Sequence, residues 1–400
     1  MLMIGESFKL CKYIKEFSML HAHQQKAYKS IKKKVTRYGL ALFVGETRSG
    51  KTRSLLNLCK DYKNPLFITK KNAISGIYSE ALEMGGIHPL TVINYHAVPK
   101  HPGEYDLIVC DEAHLYISNA TPKRSQLWKD VKALAPGADM VFASGTPTSE
   151  TVAKLFNMLA LSDHSPWSSY KRFTLWHEDY GRLYTMKLNG YNVKMYDRVK
   201  DEKILADVEH LTVTMTRKEA GHKHEATDTL VDIPMSKKQN KFYRKLQEDQ
   251  LIEKEDIIAD TPVKLMQKLH QIAGGFVKRE DGTLYSFKRN PKLEWLKENI
   301  DPDNTFILAN YIAEQQMLAE HFPHTGSLQK LSAGVDLSMY ENMIIYSMNF
   351  SAATYEQVRS RQMNIKRDTP IEIKYLCSGL DRKVYAAVQA KKNFTARWFR

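Results

Sequence analysis

Short apolar runs alternate with stretches of helical spacing through most of the chain. Gly39–Val44 (GLALFV) leads into a Gly-containing turn, and RSLLNLCKDY after it places apolar residues at helical intervals. Pro65–Thr69 (PLFIT), Leu90–Tyr95 (LTVINY), Leu107–Cys110 (LIVC) and Met140–Ala143 (MVFA) follow, each separated from the next by helical text. Strands alternating with helices predict an α/β domain with an open, mainly parallel sheet and helices on both faces, over residues 1–161. Residues 162–229 are rich in Trp, Tyr, His and charge, lack clear alternation, and read as a bridging segment. Residues 230–400 resume the first pattern with LVDIP, a helix at Ser236–Leu251, and the runs Phe306–Ala309 (FILA), Met343–Ser347 (MIIYS) and Ile371–Leu376 (IEIKYL). A second open α/β sheet is expected there.

Composition narrows the class. With 43% hydrophobic and 26% charged residues the chain can bury globular cores. No apolar run approaches the ~18 residues of a membrane span, and the opening MLMIGESFKLCKYIKEF lacks the layout of a secretory signal. Cys11, Cys59, Cys110 and Cys377 form no CxxC pair, which argues against a disulfide framework or zinc knuckle and for a cytoplasmic setting. The formal net charge of +14 fits a polyanionic partner, although a solubility bias gives the same number.

Motifs decide between those readings. Gly45-Glu46-Thr47-Arg48-Ser49-Gly50-Lys51-Thr52 satisfies G-x-x-x-x-G-K-[ST] between an expected strand and an expected helix. Loop N–H groups and the positive helix end suit phosphates, Lys51 suits the β- and γ-phosphates of ATP, and the Thr52 hydroxyl suits Mg²⁺. Asp111-Glu112-Ala113-His114 follows the run LIVC, at the strand end where open α/β sheets bind ligands. Asp111 is expected to hold the metal, and Glu112 to orient and deprotonate the attacking water.

This pair of motifs resembles motifs I and II of superfamily 2 helicases and translocases, and further matches occur in order. In LHAHQQKA (Leu20–Ala27), Gln24 falls on the position that reads the adenine edge. FITKK (Phe67–Lys71) and VINYH (Val92–His96) resemble motifs that touch the nucleic-acid backbone. Ser144-Gly145-Thr146-Pro147 resembles the motif coupling hydrolysis to lobe movement, with His114, Ser144 and Thr146 as coupling residues. Gly334-Val335-Asp336-Leu337 resembles motif V, with Asp336 near the ribose. TYEQVRSR (Thr354–Arg361) resembles motif VI, with Gln357 on the γ-phosphate side and Arg361 as arginine finger. The texture is similar to that of the Swi/Snf-like branch, and to short phage-type members within it. Supporting stretches are FTLWHEDY from Phe173, IPMSKKQNKFY from Ile233, LHQIAGGFVKREDGTLYSFKRNPKLEWL from Leu269 and LDRKVYAAVQAKK from Leu380. The resemblance covers residues 15–392 and implies two RecA-like domains that clamp ATP and Mg²⁺, with nucleic acid, DNA rather than RNA, across both. It also implies a monomer in the cytoplasm, that of the host for a phage protein. Motif VI departs from its relatives: Asn364 stands where a second arginine is usual, with Lys366 and Arg367 just beyond.

Other features have plainer readings. Lys32-Lys33-Lys34 reads as a solvated helix face, His222 and His224 as a polar loop, Trp176 and Tyr180 as helix packing, and the closing NFTARWFR as a packed or frayed tail. Two other functions are compatible in outline. A nucleic-acid-binding or annealing protein with a degenerate ATPase is suggested by the altered motif VI, yet the intact GKT and DEAH oppose it. A genome-packaging ATPase requires nuclease carboxylates in the second half, and no such cluster stands there.

Overall fold

The computed structural model describes residues 20–148, 151–188, 191–328, 337–364 and 367–395. Nine strands come first along the described chain: β1 (Leu40–Gly45), β2 (Pro65–Thr69), β3 (Thr91–Asn94), β4 (Leu107–Asp111), β5 (Asp139–Ser144), β6 (Tyr184–Leu188), β7 (Tyr191–Met195), β8 (Thr212–Met215) and β9 (Ala226–Asp232). Six of them make one sheet in the order β3-β2-β4-β5-β1-β8, with every pairing parallel. Along β1, Leu40, Leu42 and Val44 enter one core while Ala41 and Phe43 enter another on the opposite face. That two-sided burial is why the strand reads as an unbroken apolar run. The helix Ala22–Tyr38 covers one face through Ala27, Ile31 and Val35, and Gly39 ends it at φ 63°.

The second sheet has the order β15-β14-β16-β17-β9, again all parallel. Its strands are β9, then β14 (Thr305–Ala309), β15 (Thr325–Ser327), β16 (Asn342–Ile345) and β17 (Ile371–Cys377). Between them lie two small antiparallel pairs, β10 (Leu251–Ile252) with β11 (Ile257–Ile258), and β12 (Phe276–Lys278) with β13 (Leu284–Ser286). Cores on the two faces again take alternate residues: Ile307 and Ile344 enter one, Leu308 and Ile345 the other. Each sheet with its helices is an open, parallel α/β unit, as the alternation of apolar runs and helical text predicts.

One unit runs up to Gly221 and the other from His222 to Asn393. The stretch 162–229, expected as a bridge, contains β8 of the first sheet, the start of β9 of the second, and the β6–β7 pair. Its aromatic text is core: Trp167, Phe173, Trp176 and Tyr180 pack with Phe156 on the first sheet's face. Four-residue β8 carries Thr212 and Thr214 in alternation with Val213 and Met215, too short a signal to separate from a loop.

Candidate active site

Strands β1, β5 and β4 lie side by side, and the three motifs of the first unit occupy their C-terminal ends. The phosphate loop leaves β1 at Gly45 and enters the helix Lys51–Cys59 through Gly50 at φ 88°. Arg48 also has a positive φ of 66°, so the loop curls through conformations that expose successive N–H groups. The glycines are required by close approach. A Cβ at Gly45 would fall 2.4 Å from Lys51 Cγ, and one at Gly50 would fall 2.3 Å from Gln24 Nε2. Lys51 Nζ donates to Gly45 O at 2.6 Å and lies 3.4 Å from Glu46 O, folded back on its own loop. Ser49 Oγ donates to Glu46 O at 2.7 Å, and His23 Nε2 stands 3.0 Å from Ser49 O.

Two of the expected binding residues also have structural partners. The Glu46 carboxylate accepts from Arg217 N at 2.6 Å and pairs with the Arg217 guanidinium at 3.7 Å, beside the end of β8. Gln24 is buried, and its Oε1 accepts from His21 N at 2.9 Å, capping the helix Ala22–Tyr38. Its amide nitrogen is left against Gly50.

Asp111 closes β4. Its Oδ2 accepts from Thr69 Oγ1 at 2.8 Å, and its main-chain oxygen accepts from Tyr95 OH at 2.8 Å. Burial pushes the Asp111 carboxyl up to about 6, with the Glu112 charge adding to the rise and the Lys51 ammonium opposing it. A cation in this position would return the carboxyl to its ionised form. The acidic pocket, the hydroxyl of Thr52 at the second position of the helix Lys51–Cys59, and the lysine beside them suit Mg²⁺ with a nucleoside triphosphate.

Glu112 takes φ 51° and starts the short helix Ala113–Tyr116, so the chain reverses sharply after the strand. Its Oε2 lies 3.4 Å from His114 Nδ1. His114 is buried between the two other motifs: Nδ1 is 2.7 Å from Ser144 Oγ, and Nε2 is 3.1 Å from Thr146 Oγ1. Thr146 N donates to Ser144 Oγ at 2.9 Å. Burial holds the imidazole down to about 4, against the pull of Glu112, so it is neutral at pH 7 with one nitrogen donating and the other accepting.

Beside this cluster, a groove of about 330 Å³ opens at the ends of β2 and β3. Lys71, Asn94, His96 and Lys100 line it, together with Tyr95 and Tyr116, whose rings stack 4.4 Å apart. FITKK and VINYH therefore share one groove, and that groove touches the helix carrying His114. Thr69 and Tyr95 fall inside FITKK and VINYH but were given no role of their own there, and Arg217 joins the site from outside every motif. Thr69 carried a signal, as a hydroxyl at the end of an apolar strand. Arg217 carried none, being 171 residues from Glu46.

In the second unit, Gln357 and Arg361 lie on the helix Ala352–Gln362, Gln357 buried and Arg361 in its last turn and half-buried. Arg361 O accepts from Leu337 N at 3.1 Å, joining motif VI to the end of motif V. Asp336 lies outside the described residues. Arg359 of the same helix pairs with Asp228 on β9, which also accepts from Tyr385 OH at 2.7 Å. Asn364 Nδ2 donates to Ser338 Oγ at 3.1 Å. Arg367 donates to Gln362 Oε1 at 2.6 Å, Glu341 O at 3.0 Å and Tyr340 O at 3.1 Å.

Residues 86–279 match the family model of the SNF2-related domain. The SNF2-related match takes in Asp111–His114 and Ser144–Pro147; the phosphate loop precedes it and the helix Ala352–Gln362 follows it. It supports the Swi/Snf-like resemblance drawn from the motifs. A similar solved structure is the Sulfolobus solfataricus SWI2/SNF2 ATPase core in complex with dsDNA. That similarity has 15% identity over 94% of this chain and 92% of the other, with a TM-score of 0.42. Among curated proteins, none matches.

Proposed function

We propose that the chain is a nucleic-acid-dependent ATPase that moves on DNA as a translocase or helicase. The observation that carries this reading is the shared wall between the phosphate-site carboxylates and the groove. Tyr116 follows the DEAH residues on one short helix and stacks on Tyr95, and the Tyr95 hydroxyl holds Asp111 O. A polyanion settling on Lys71, His96 and Lys100 presses on Thr69, whose hydroxyl donates to the Asp111 carboxylate, and on Tyr95, whose hydroxyl holds Asp111 O. The SNF2-related match over residues 86–279 supports the same reading.

The residues divide the work as follows. Loop N–H groups and Lys51 bind the phosphates, the ammonium leaving its carbonyl partners for the β- and γ-oxygens. Thr52 and Asp111 would hold Mg²⁺, which supplies charge neutralisation on those oxygens when bound. Glu112 takes a proton from water attacking the γ-phosphorus, as the bond to the β-phosphate bridging oxygen breaks and ADP and phosphate form. His114 reports the state of Glu112 to Ser144 and Thr146 through its two ring nitrogens. We assign Gln357 and Arg361 to the γ-phosphate, Arg361 stabilising the charge that develops there. The protein acts as a monomer, on DNA in preference to RNA.

The test is ATP turnover measured alone and with single-stranded DNA, duplex DNA, forked DNA and RNA. Stimulation of at least tenfold by a DNA is expected. Turnover that stays at buffer background with every polymer contradicts the proposal and favours a nucleic-acid-binding protein with a degenerate ATPase.

A further inference from the structure

Between Tyr180 and Lys200 the chain makes an antiparallel ribbon that belongs to neither sheet. The β6–β7 pairing runs from Tyr184↔Met195 to Leu188↔Tyr191, and the ladder continues below it through the Gly181↔Val199 bridge. Arg182 N donates to Arg198 O at 2.8 Å, and Lys200 N donates to Tyr180 O at 2.7 Å. At ~3.3 Å per residue, the ribbon from Gly181 to Leu188 is roughly 25 Å long.

Its two ends differ sharply in environment. The root is rigid: Tyr180 is buried against Trp176 and Trp167, and its hydroxyl donates to Asp207 at 2.6 Å. Tyr196 packs edge-on against Phe173 and His177. Beyond the root, Thr185, Met186 and Lys187 on one strand and Asn192, Val193 and Lys194 on the other are all exposed. Register sorts these residues by face. Met186 opposes Val193 on an apolar face, while Lys187 opposes Asn192 and Lys194 opposes Thr185 on a basic one. A two-stranded ribbon exposed on both faces is marginal by itself, and the Met186–Val193 pair on its apolar face stays exposed.

A further contact links the ribbon to the ATP site. Thr151 is buried and donates its hydroxyl to Asp197 O at 2.9 Å, at the ribbon's root. Thr151 follows Ser144-Gly145-Thr146-Pro147 by only a few residues, so the ribbon stands on the loop that answers to His114.

We infer that the ribbon is a strand-separating pin for duplex DNA, and that the chain therefore unwinds DNA and does not only translocate on it. The occupant is argued from complementarity. Lys187 and Lys194 suit a phosphate backbone on one face, and Met186 and Val193 suit the flat apolar surface of an opened base pair on the other. This inference rests on the reading of the chain as a DNA-dependent ATPase, with motion delivered to the root through Thr151.

The test uses the full chain on a forked duplex, with strand displacement and ATP hydrolysis measured in the same reaction. M186E/V193E changes two exposed side chains, and unchanged thermal melting checks that the variant folds. The expected result is at least a tenfold fall in base pairs separated per ATP hydrolysed. A photo-crosslinking residue at position 186 is expected to label nucleotides at the fork junction. An unchanged ratio, or labelling confined to the single-stranded tails, overturns the pin. A parent protein that hydrolyses ATP with DNA yet displaces no strand overturns the pin alone, whereas one that never hydrolyses ATP overturns the ATPase reading as well. If the parent is a dimer and M186E/V193E a monomer, the apolar pair seals a second copy and the pin is wrong.

Discussion

Arg361 and Arg367 sit six positions apart, the first in the last turn of the helix Ala352–Gln362 and the second beyond its end. Arg367 donates to Gln362, Tyr340 and Glu341, and its Nε lies 3.1 Å from Thr369 Oγ1, so its guanidinium staples the end of the helix Ala352–Gln362 to the chain after motif V. A side chain with that many partners is a poor candidate to reach a phosphate. Replacing Arg367 with Ala is expected to cost about 2 kcal/mol of stability in denaturant titrations, since charged hydrogen bonds are lost together. Replacing Arg361 with Ala is expected to lower kcat on the order of 10³-fold. Comparable kcat losses in both variants would contradict the assignment of Arg361 as the finger. On the other side of the chemistry, Glu112→Gln keeps the shape of the side chain and removes the proton acceptor. ATP binding is expected to persist in fluorescence titrations while turnover falls at least a hundredfold.

At the scale of elements, the apolar runs were legible because strands covered on both faces read as continuous hydrophobic text. PLFIT is a strand over the same residues that the sequence suggested, and the other runs differ from their strands by a residue or two at each end. The elements that sequence reading missed are those whose partners are far away or whose faces are polar: β8, β15 and the β6–β7 ribbon. A buried charge network in the second unit was also illegible, because its members come from separate helices. Lys292 donates to Asp381 at 2.7 Å and to Tyr346 O at 2.9 Å, while His270 Nε2 lies 3.0 Å from the other Asp381 oxygen. Burial alone would raise the Asp381 carboxyl, but Lys292 and His270 hold it at about 2. Its folded value is thus depressed below the ordinary ~3.9, so the ionised form stabilises the fold above about pH 4 and that contribution is lost as pH falls toward 2. The loss is about 2 kcal/mol, readable as a falling denaturation midpoint across that window. Lys292→Met, which strands the carboxylate, is expected to cost about 3 kcal/mol at pH 7. A variant as stable as the parent would contradict the network's role.

For the whole molecule, the proposed phosphate site was readable in the sequence as two short words, GETRSGKT and DEAH, because each motif is local and each ends a strand. What it could not show is the sheet order that brings β1, β5 and β4 together and so places Lys51, Ser144 and Asp111 at one edge. Nor could it show that the groove of Lys71, His96 and Lys100 shares Tyr95 with that edge. Among the described residues, no helix is long and apolar enough to cross a membrane. The net charge of +14 gains meaning from the groove. Binding to duplex DNA is expected to weaken at least tenfold between ~50 and ~200 mM salt in anisotropy titrations, as counterion release requires. Affinity independent of salt would exclude the basic groove as the track.

In the proposed function, a triphosphate is held by the loop at Lys51 and split when DNA occupies the groove. The most direct measurement is DNA-stimulated ATP hydrolysis by the parent and by Lys51→Ala under the same conditions. Stimulation in the parent and a loss of at least a hundredfold in the variant are expected. Equal turnover in the two proteins would contradict the proposed function.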